Sequence, residues 1–275
     1  NVGFTIIEFI GGVLTNSTAI MADAVHDLGD SLSIGLAWVL AKLGKKPASS
    51  SFSYGYKRLS LLGSLINGIV LIAGSGWVLY QSIPRLFNPE MPVTEGMLAL
   101  SIFGIAVNGF AAFKLSKGET LNEKVLNWHL LEDVLGWVAV FIVSVVLMFV
   151  EWPILDPILA IGFTLFILVN VVRNIGSTLK LFLQGVPDQG IAKGIEEKLK
   201  SISEFKHFHH LHLWSLDGES HVLTVHIELA ADVSLEDQRN LKRRLSAVLA
   251  EFELSHTTVE FELHNEPCRD DVPKE

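Results

Sequence analysis

Long apolar stretches separated by short polar breaks fill the first two thirds of the chain, and the last third abandons that pattern. The stretches predict six helices of bilayer scale. One ends before Leu14; the others are Thr18–Leu43, Tyr56–Ile83, Thr94–Leu115, Asn122–Phe149 and Ile154–Leu183. The breaks hold turn formers and helix stoppers: Thr15-Asn16-Ser17, Gly44 to Ser53, Pro84 with Pro89 and Pro92, Ser116-Lys117-Gly118, and Trp152-Pro153. Val2 to Leu14 is 13 residues. Crossing about 30 Å of hydrocarbon takes roughly 20, so the first helix is expected to begin upstream of this numbering.

Beyond Val186 the period changes. Ile191–Ile202 has helical spacing with many charges. Phe208–Leu216 and Ser220–Leu229 read as strands flanking the turn signal Asp217-Gly218. Ser234 with Asp237 three residues on is a capping pair for an amphipathic helix running to about Phe252. Thr257–Leu263 alternates as a third strand. The predicted organisation is an all-α six-helix transmembrane domain over 1–187. It is followed over 188–275 by an αββαβ domain of the α+β class, a three-stranded sheet with helices on one face, ending in a short tail.

Composition sharpens this division. The chain has 275 residues, 49% of them hydrophobic, a mean hydropathy of +0.41 and a net charge of −9. From Asp188 onward there are 18 acidic and 10 basic residues, so nearly all the net charge lies in the second domain. Basic residues mark the second break (Lys42, Lys45, Lys46, Lys57, Arg58) and the fourth (Lys114, Lys117, Lys124). The third has only Arg85 and the fifth has none. Positively charged loops stay in the cytoplasm, which places both termini and the second domain there. A lone cysteine, Cys268, excludes an intrachain disulfide.

The informative chemistry lies inside the apolar stretches. His26-Asp27-Leu28-Gly29-Asp30 and His129-Leu130-Leu131-Glu132-Asp133 each contain His-x-x-x-Asp. Positions i and i+4 share a helix face, so each helix presents an imidazole and a carboxylate to one point. Two such helices supply a set of two N and two O donors that suits a tetrahedral divalent metal, zinc first. An ionisable group at bilayer depth costs about 2.5–3.5 kcal/mol on insertion scales and marks an ion pathway. The competing reading, polar groups that only glue helices together, fits a single residue better than two copies of one spacing. Asp23, one turn before Asp27, is placed along an access path or proton relay. Asp27 and Glu132 neighbour ligands but point elsewhere, and Asn67 and Asn108 are read as packing contacts.

The second domain holds eight of the ten histidines: His207, His209, His210, His212, His221, His226, His256 and His264. Strict alternation puts His210 and His212 on one strand face and His209 on the other. His264, Glu266 and Cys268 follow at two-residue steps. Metal binding here competes with solvated histidines on strand faces. No HExxH, GxxxxGK[ST] or GxSxG signature is present, and four closed ligands suit binding and release better than hydrolysis.

These residues resemble the cation diffusion facilitators, in their zinc-transporter branch. The resemblance is carried by Asn16-Ser17-Thr18-Ala19, Asp23-Ala24-Val25-His26-Asp27 with Asp30, Tyr54-Gly55-Tyr56-Lys57-Arg58, and His129 with Asp133. The strings His209-His210-Leu211-His212-Leu213-Trp214 and His264-Asn265-Glu266-Pro267-Cys268 extend it through the second domain. It implies a homodimer in the lipid of a bacterial inner membrane, with ferredoxin-like cytoplasmic domains, exchanging Zn²⁺ for H⁺ by alternating access. It also implies transport ligands at His26, Asp30, His129 and Asp133, and cytoplasmic ligands at His209, His226 and His264 with Glu266 and Cys268. The chain departs from some relatives in lacking histidine between helices two and three, and Asn240 stands where a further cytoplasmic histidine is common. Two other readings stay open: export of Cd²⁺ or Co²⁺ by the same route, and a membrane-anchored metal sensor.

Overall fold

The computed structural model describes residues 2–116 and 121–270, the side chains of Ala41, 121–126 and Trp128 aside. The break expected at Lys117-Gly118 and the last five residues of the tail lie outside the described residues. Eight helices and three strands follow in order: α1 (Val2–Thr15), α2 (Thr18–Gly44), α3 (Leu59–Phe87), α4 (Thr94–Leu115), α5 (Leu121–Phe149), α6 (Leu155–Phe182), α7 (Gln189–Lys200), β1 (Phe205–Ser215), β2 (His221–Leu229), α8 (Leu235–Leu249) and β3 (Leu254–Glu262). The chain divides into two compact units, Asn1–Trp38 with Gly63–Ile175, and Val39–Leu62 with Gly176–Glu275.

The first unit is a helical membrane domain. Among the described residues, four helices are long and apolar enough to cross a bilayer: α3, α4, α6 and the His129–Phe149 part of α5. α2 is 27 residues long but carries Asp23, Asp27 and Asp30, which lower its hydropathy. Large apolar side chains such as Ile69, Phe110, Leu135, Ile142 and Phe166 face outward, as lipid contact requires. Inside, Ile20, Val25, Val78, Met97, Trp137 and Val140 form the core. α4 meets α5 closely because position 104 is glycine: a Cβ there would lie 2.2 Å from the Trp137 ring.

α3 runs past Pro84, where the sequence predicts a break. Proline removes one backbone donor, but Arg85 beyond it anchors the last turn, donating to the Asn16 carbonyl (2.7 Å) and to Asn16 Oδ1 (2.6 Å). The N-terminus of α2 is held by Asp156 of α6. Its buried carboxylate accepts from Ser17 Oγ (2.5 Å), Thr18 N (2.7 Å), Thr18 Oγ1 (2.7 Å) and Ala19 N (3.2 Å). A carboxylate supplied by another helix therefore performs the N-cap function and meets the positive end of the α2 dipole.

The second unit is built on a mixed sheet of order β1-β2-β3, antiparallel between β1 and β2 and parallel between β2 and β3. Ile195 and Leu199 of α7 and Leu241, Leu245 and Leu249 of α8 pack with Leu213, Leu223, Val225 and Ile227. The β1–β2 turn is organised by Asp217, which accepts from Glu219 N (3.0 Å) and Ser220 N (2.6 Å), with Gly218 at φ +104°. Ser234 caps α8 by accepting from Asp237 N (3.1 Å). The Asp237 carboxylate takes the Ser234 hydroxyl (2.6 Å) instead of returning to the backbone as in a full capping box. The loop between α2 and α3 belongs to this unit: Tyr54 stacks edge-on against His256 (5.6 Å), and Lys57 Nζ donates to Ser220 Oγ (2.8 Å).

Alternation fails within β1. The register shifts between His209 and His212, and His210 takes a left-handed φ of +46°. This bulge brings His209 and His210 to the same neighbour, with ring centroids 5.6 Å and 5.2 Å from His226, where strict alternation would separate them.

Asp156→Ala strands several buried donors at the start of α2, each worth about 1–3 kcal/mol. Thermal unfolding in detergent is expected to shift clearly downward, with Asp156→Asn falling between the two. An unchanged transition would mean that α2 is positioned by other contacts.

Candidate metal centres

The four side chains singled out in the membrane domain converge. His26 and Asp30 descend one face of α2, His129 and Asp133 one face of α5, and one ligand atom from each lies within 4.8 Å of all the others. His129 Nε2 is 2.9 Å from Asp30 Oδ2, His26 Nε2 is 3.6 Å from Asp30 Oδ2 and 3.8 Å from Asp133 Oδ1, and His129 Nε2 is 3.9 Å from Asp133 Oδ2. The edges of a tetrahedral zinc site with bonds near 2.1 Å are about 3.4 Å. The observed separations bracket that value, so side-chain adjustments well under 1 Å close most of them. Asp133 Oδ1 is buried without a hydrogen-bond partner, as a ligand atom awaiting a cation would be.

Asp23 is buried and lines a cavity of about 40 Å³ with His26, Glu132 and Asp133, closed by Phe163 and Phe166. Glu132, set aside from sequence, borders this cavity. Asp27 stays out of the quartet and is buried beside it.

In the second unit the structure brings together His209 and His226 with Glu262 and Cys268. His226 Nδ1 lies 3.0 Å from Glu262 Oε1 and 3.5 Å from Cys268 Sγ, and His209 Nε2 lies 3.2 Å from the same Glu262 oxygen. Burial pushes the Glu262 carboxyl up, but hydrogen bonds from Cys268 and His226 and the neighbouring His209 ring outweigh it and hold it below the usual value, so it is an ionised acceptor at neutral pH. His264 and Glu266 stand outside this group. Both are exposed, and the Glu266 carboxylate accepts from Leu263 N (2.7 Å). Glu262 has no spacing motif in the sequence; only the placement of β3 beside β2 brings it to His226.

A family profile described as the cation efflux transmembrane domain matches residues 1–183, and one described as the cation efflux protein cytoplasmic domain matches 187–264. The chain is 31% identical over 269 residues to a cadmium, cobalt and zinc/H(+)-K(+) antiporter of Bacillus subtilis, covering 96% of this chain and 86% of the relative. It is 30% identical over 268 residues to the metal cation efflux system protein CzcD of Cupriavidus metallidurans, covering 96% and 84%. It is 28% identical over 273 residues to the zinc transporter ZitB of Pectobacterium atrosepticum, covering 98% and 83%.

The two cytoplasmic ligand sets, one with Glu262 and one with His264 and Glu266, are separable. Zinc held by the observed quartet is expected to bind about 10- to 100-fold more weakly after Glu262→Ala. His264→Ala leaves it unchanged. Competition with a chromophoric chelator, in an Asp133→Ala background that silences the membrane site, reads the difference; the reverse ranking assigns the metal to His264.

Proposed function

Because the chain belongs to the cation efflux family, we propose that it is a secondary transporter exporting Zn²⁺ from the cytoplasm in exchange for H⁺. The observation that carries this is the convergence of the two His-x-x-x-Asp pairs, one from each of two helices, on a point inside an apolar domain. Cadmium and cobalt stand beside zinc in the name of one relative, and imidazole with carboxylate accommodates all three. Zinc ranks first because two neutral imidazoles with two carboxylates match its tetrahedral preference.

In this reading α1 to α6 all lie in the membrane, both termini are cytoplasmic, and the αββαβ domain is ferredoxin-like and joins two copies into a homodimer. The match to a cytoplasmic dimerisation domain supports the last point. That its listed relatives come from bacteria supports a place in a bacterial inner membrane, surrounded by lipid. The chain acts as a transporter and carries out no bond-making chemistry. The cytoplasmic quartet is a second zinc site that senses the metal to be exported.

The chemistry of the membrane site supplies the exchange. His26 and His129 bind metal only when neutral, Asp30 and Asp133 only when ionised, so protons and metal compete for the same four groups. Open to the cytoplasm, the site takes Zn²⁺. Open to a more acidic exterior, protons displace the ion. Asp23 lines the path to the site.

Zn²⁺ uptake into proteoliposomes under an imposed pH gradient tests this. Asp133→Ala and His26→Ala are each expected to reduce gradient-driven uptake by about 100-fold or more, beyond the cost of losing a supporting partner, while the dimer stays folded. His26→Asp is expected to admit other divalent ions. Equal flux in wild type and variants, with zinc still bound at the cytoplasmic domain, would favour a membrane-anchored sensor.

A further inference from the structure

The break between α2 and α3 carries cations that the function proposed above leaves unused. Lys42, Lys45, Lys46, Lys57 and Arg58 lie in one stretch, and no acidic residue occurs between Asp30 and Glu90. The break belongs to the second unit, which from Asp188 onward is acidic. Its backbone is well organised. Ser49 and Phe52 exchange backbone hydrogen bonds (3.0 and 3.2 Å), Gly55 N donates to the Phe52 carbonyl (2.9 Å), and the Phe52 ring packs on Tyr56 at 4.7 Å. Gly55 takes φ +75°, a left-handed conformation that favours glycine.

These turns set Arg58 beside a cavity of about 390 Å³, walled by Phe52, Tyr54 and Trp214 and bordered by Lys57 and Gln184. Lys57 is already engaged: its Nζ donates to Ser220 Oγ, which in turn donates to the Asp217 carboxylate (2.9 Å). Arg58 has no such tie. Among the described residues nothing pairs with its guanidinium, and Nε is buried without an acceptor. A guanidinium is a planar fork of five donors that matches the paired oxygens of a phosphate. A buried donor left unpaired is costly, so an acceptor supplied from outside the chain fits here.

We propose that this cavity binds the phosphate of an anionic membrane lipid, with Arg58 as its main donor. Arg58 immediately precedes α3, and Gln184 lies two residues past the end of α6. Both helices are long and apolar enough to cross a bilayer, so the lining comes from places where spanning helices end, at the headgroup layer. Clustered lysine and arginine beside a membrane helix attract anionic lipid, and tyrosine and tryptophan favour the headgroup level. Phe52 and Tyr54 are 53% and 46% exposed, which leaves ring surface for the glycerol and upper acyl carbons of a lipid. Inorganic phosphate offers the same oxygens to Arg58 but has no apolar part for the aromatic walls. A lipid held there ties the α2–α3 break to the membrane surface, and the site does not depend on the exchange proposed above.

Native mass spectrometry of the full chain, titrated with phosphatidylglycerol or phosphatidylcholine, tests this. Wild type is expected to hold the anionic lipid about tenfold more tightly than the zwitterionic one, as a charge-assisted pair provides. Arg58→Ala is expected to abolish the preference, and Arg58→Lys, which keeps the charge and loses the fork, to restore part of it. Lys198→Ala, at a basic residue of α7 paired with Glu251, is expected to change nothing. Equal lipid retention by wild type and Arg58→Ala overturns the proposal, and so does an equal loss in Lys198→Ala, which marks a diffuse charge effect. Inorganic phosphate is expected to leave the lipid bound; full displacement at millimolar concentration makes the site one for a soluble anion and overturns the lipid assignment. If Arg58→Ala does not fold, hydrogen exchange of wild type in nanodiscs carries the test. The amides of residues 49–58 are expected to exchange more slowly in phosphatidylglycerol than in phosphatidylcholine, and equal rates overturn the proposal.

Discussion

The arrangement depends on the cost of placing ionisable groups inside an apolar helical domain. His26, Asp30, His129 and Asp133 are tolerable there only where they meet, because each alone would be an uncompensated polar group in hydrocarbon. Their meeting constrains the helices that carry them. α2 must keep its rotation and depth, and its N-terminus is tied to α6 through four donors on the Asp156 carboxylate. α5 is placed against α4 by the contact of Trp137 with Gly104, about one turn beyond Asp133. The packing of small residues thus serves the register of the polar ones.

The two candidate centres differ in chemistry as well as location. The membrane quartet offers two nitrogens and two oxygens from two helices, with separations from 2.9 to 3.9 Å among themselves. The cytoplasmic group adds sulfur and is tied together by hydrogen bonds before any metal arrives: Glu262 takes both His209 and His226, and Cys268 reaches His226. A thiolate and a hydrogen-bonded carboxylate favour retention, whereas a loosely spaced N/O set favours exchange. Under the proposed function, this contrast separates a site that moves the ion from one that senses it.

Much of this is legible in the sequence where the information is local. The His-x-x-x-Asp spacing names its own geometry, since a helix puts i and i+4 on one face whatever surrounds it. The apolar runs and the Asp217-Gly218 turn are equally local. What stays hidden depends on partners distant in the chain. Pro84 reads as a helix end because the Arg85–Asn16 contact that carries α3 onward is tertiary. The β1 bulge at His210 overrides alternation, and Glu262 joins His226 only through the β2–β3 pairing. Glu8 has no spacing motif to mark it, and only the packing of α1 shows that it is buried.

Charge balance then links the parts. With two ionised carboxylates and two neutral imidazoles, the quartet is neutral when it holds a divalent cation and carries two negative charges when it does not. An apolar domain can rearrange around a neutral site far more cheaply than around a doubly charged one. The empty form must therefore acquire positive charge before it moves, and a one-way leak of the metal is suppressed by the cost of returning bare. Selection of the metal and obligation to exchange come from the same physical term: the donors that match a divalent ion are the donors whose charge forbids the empty return. Buried carboxylates next to the site deepen that obligation, because each adds a negative charge that the departing metal no longer offsets.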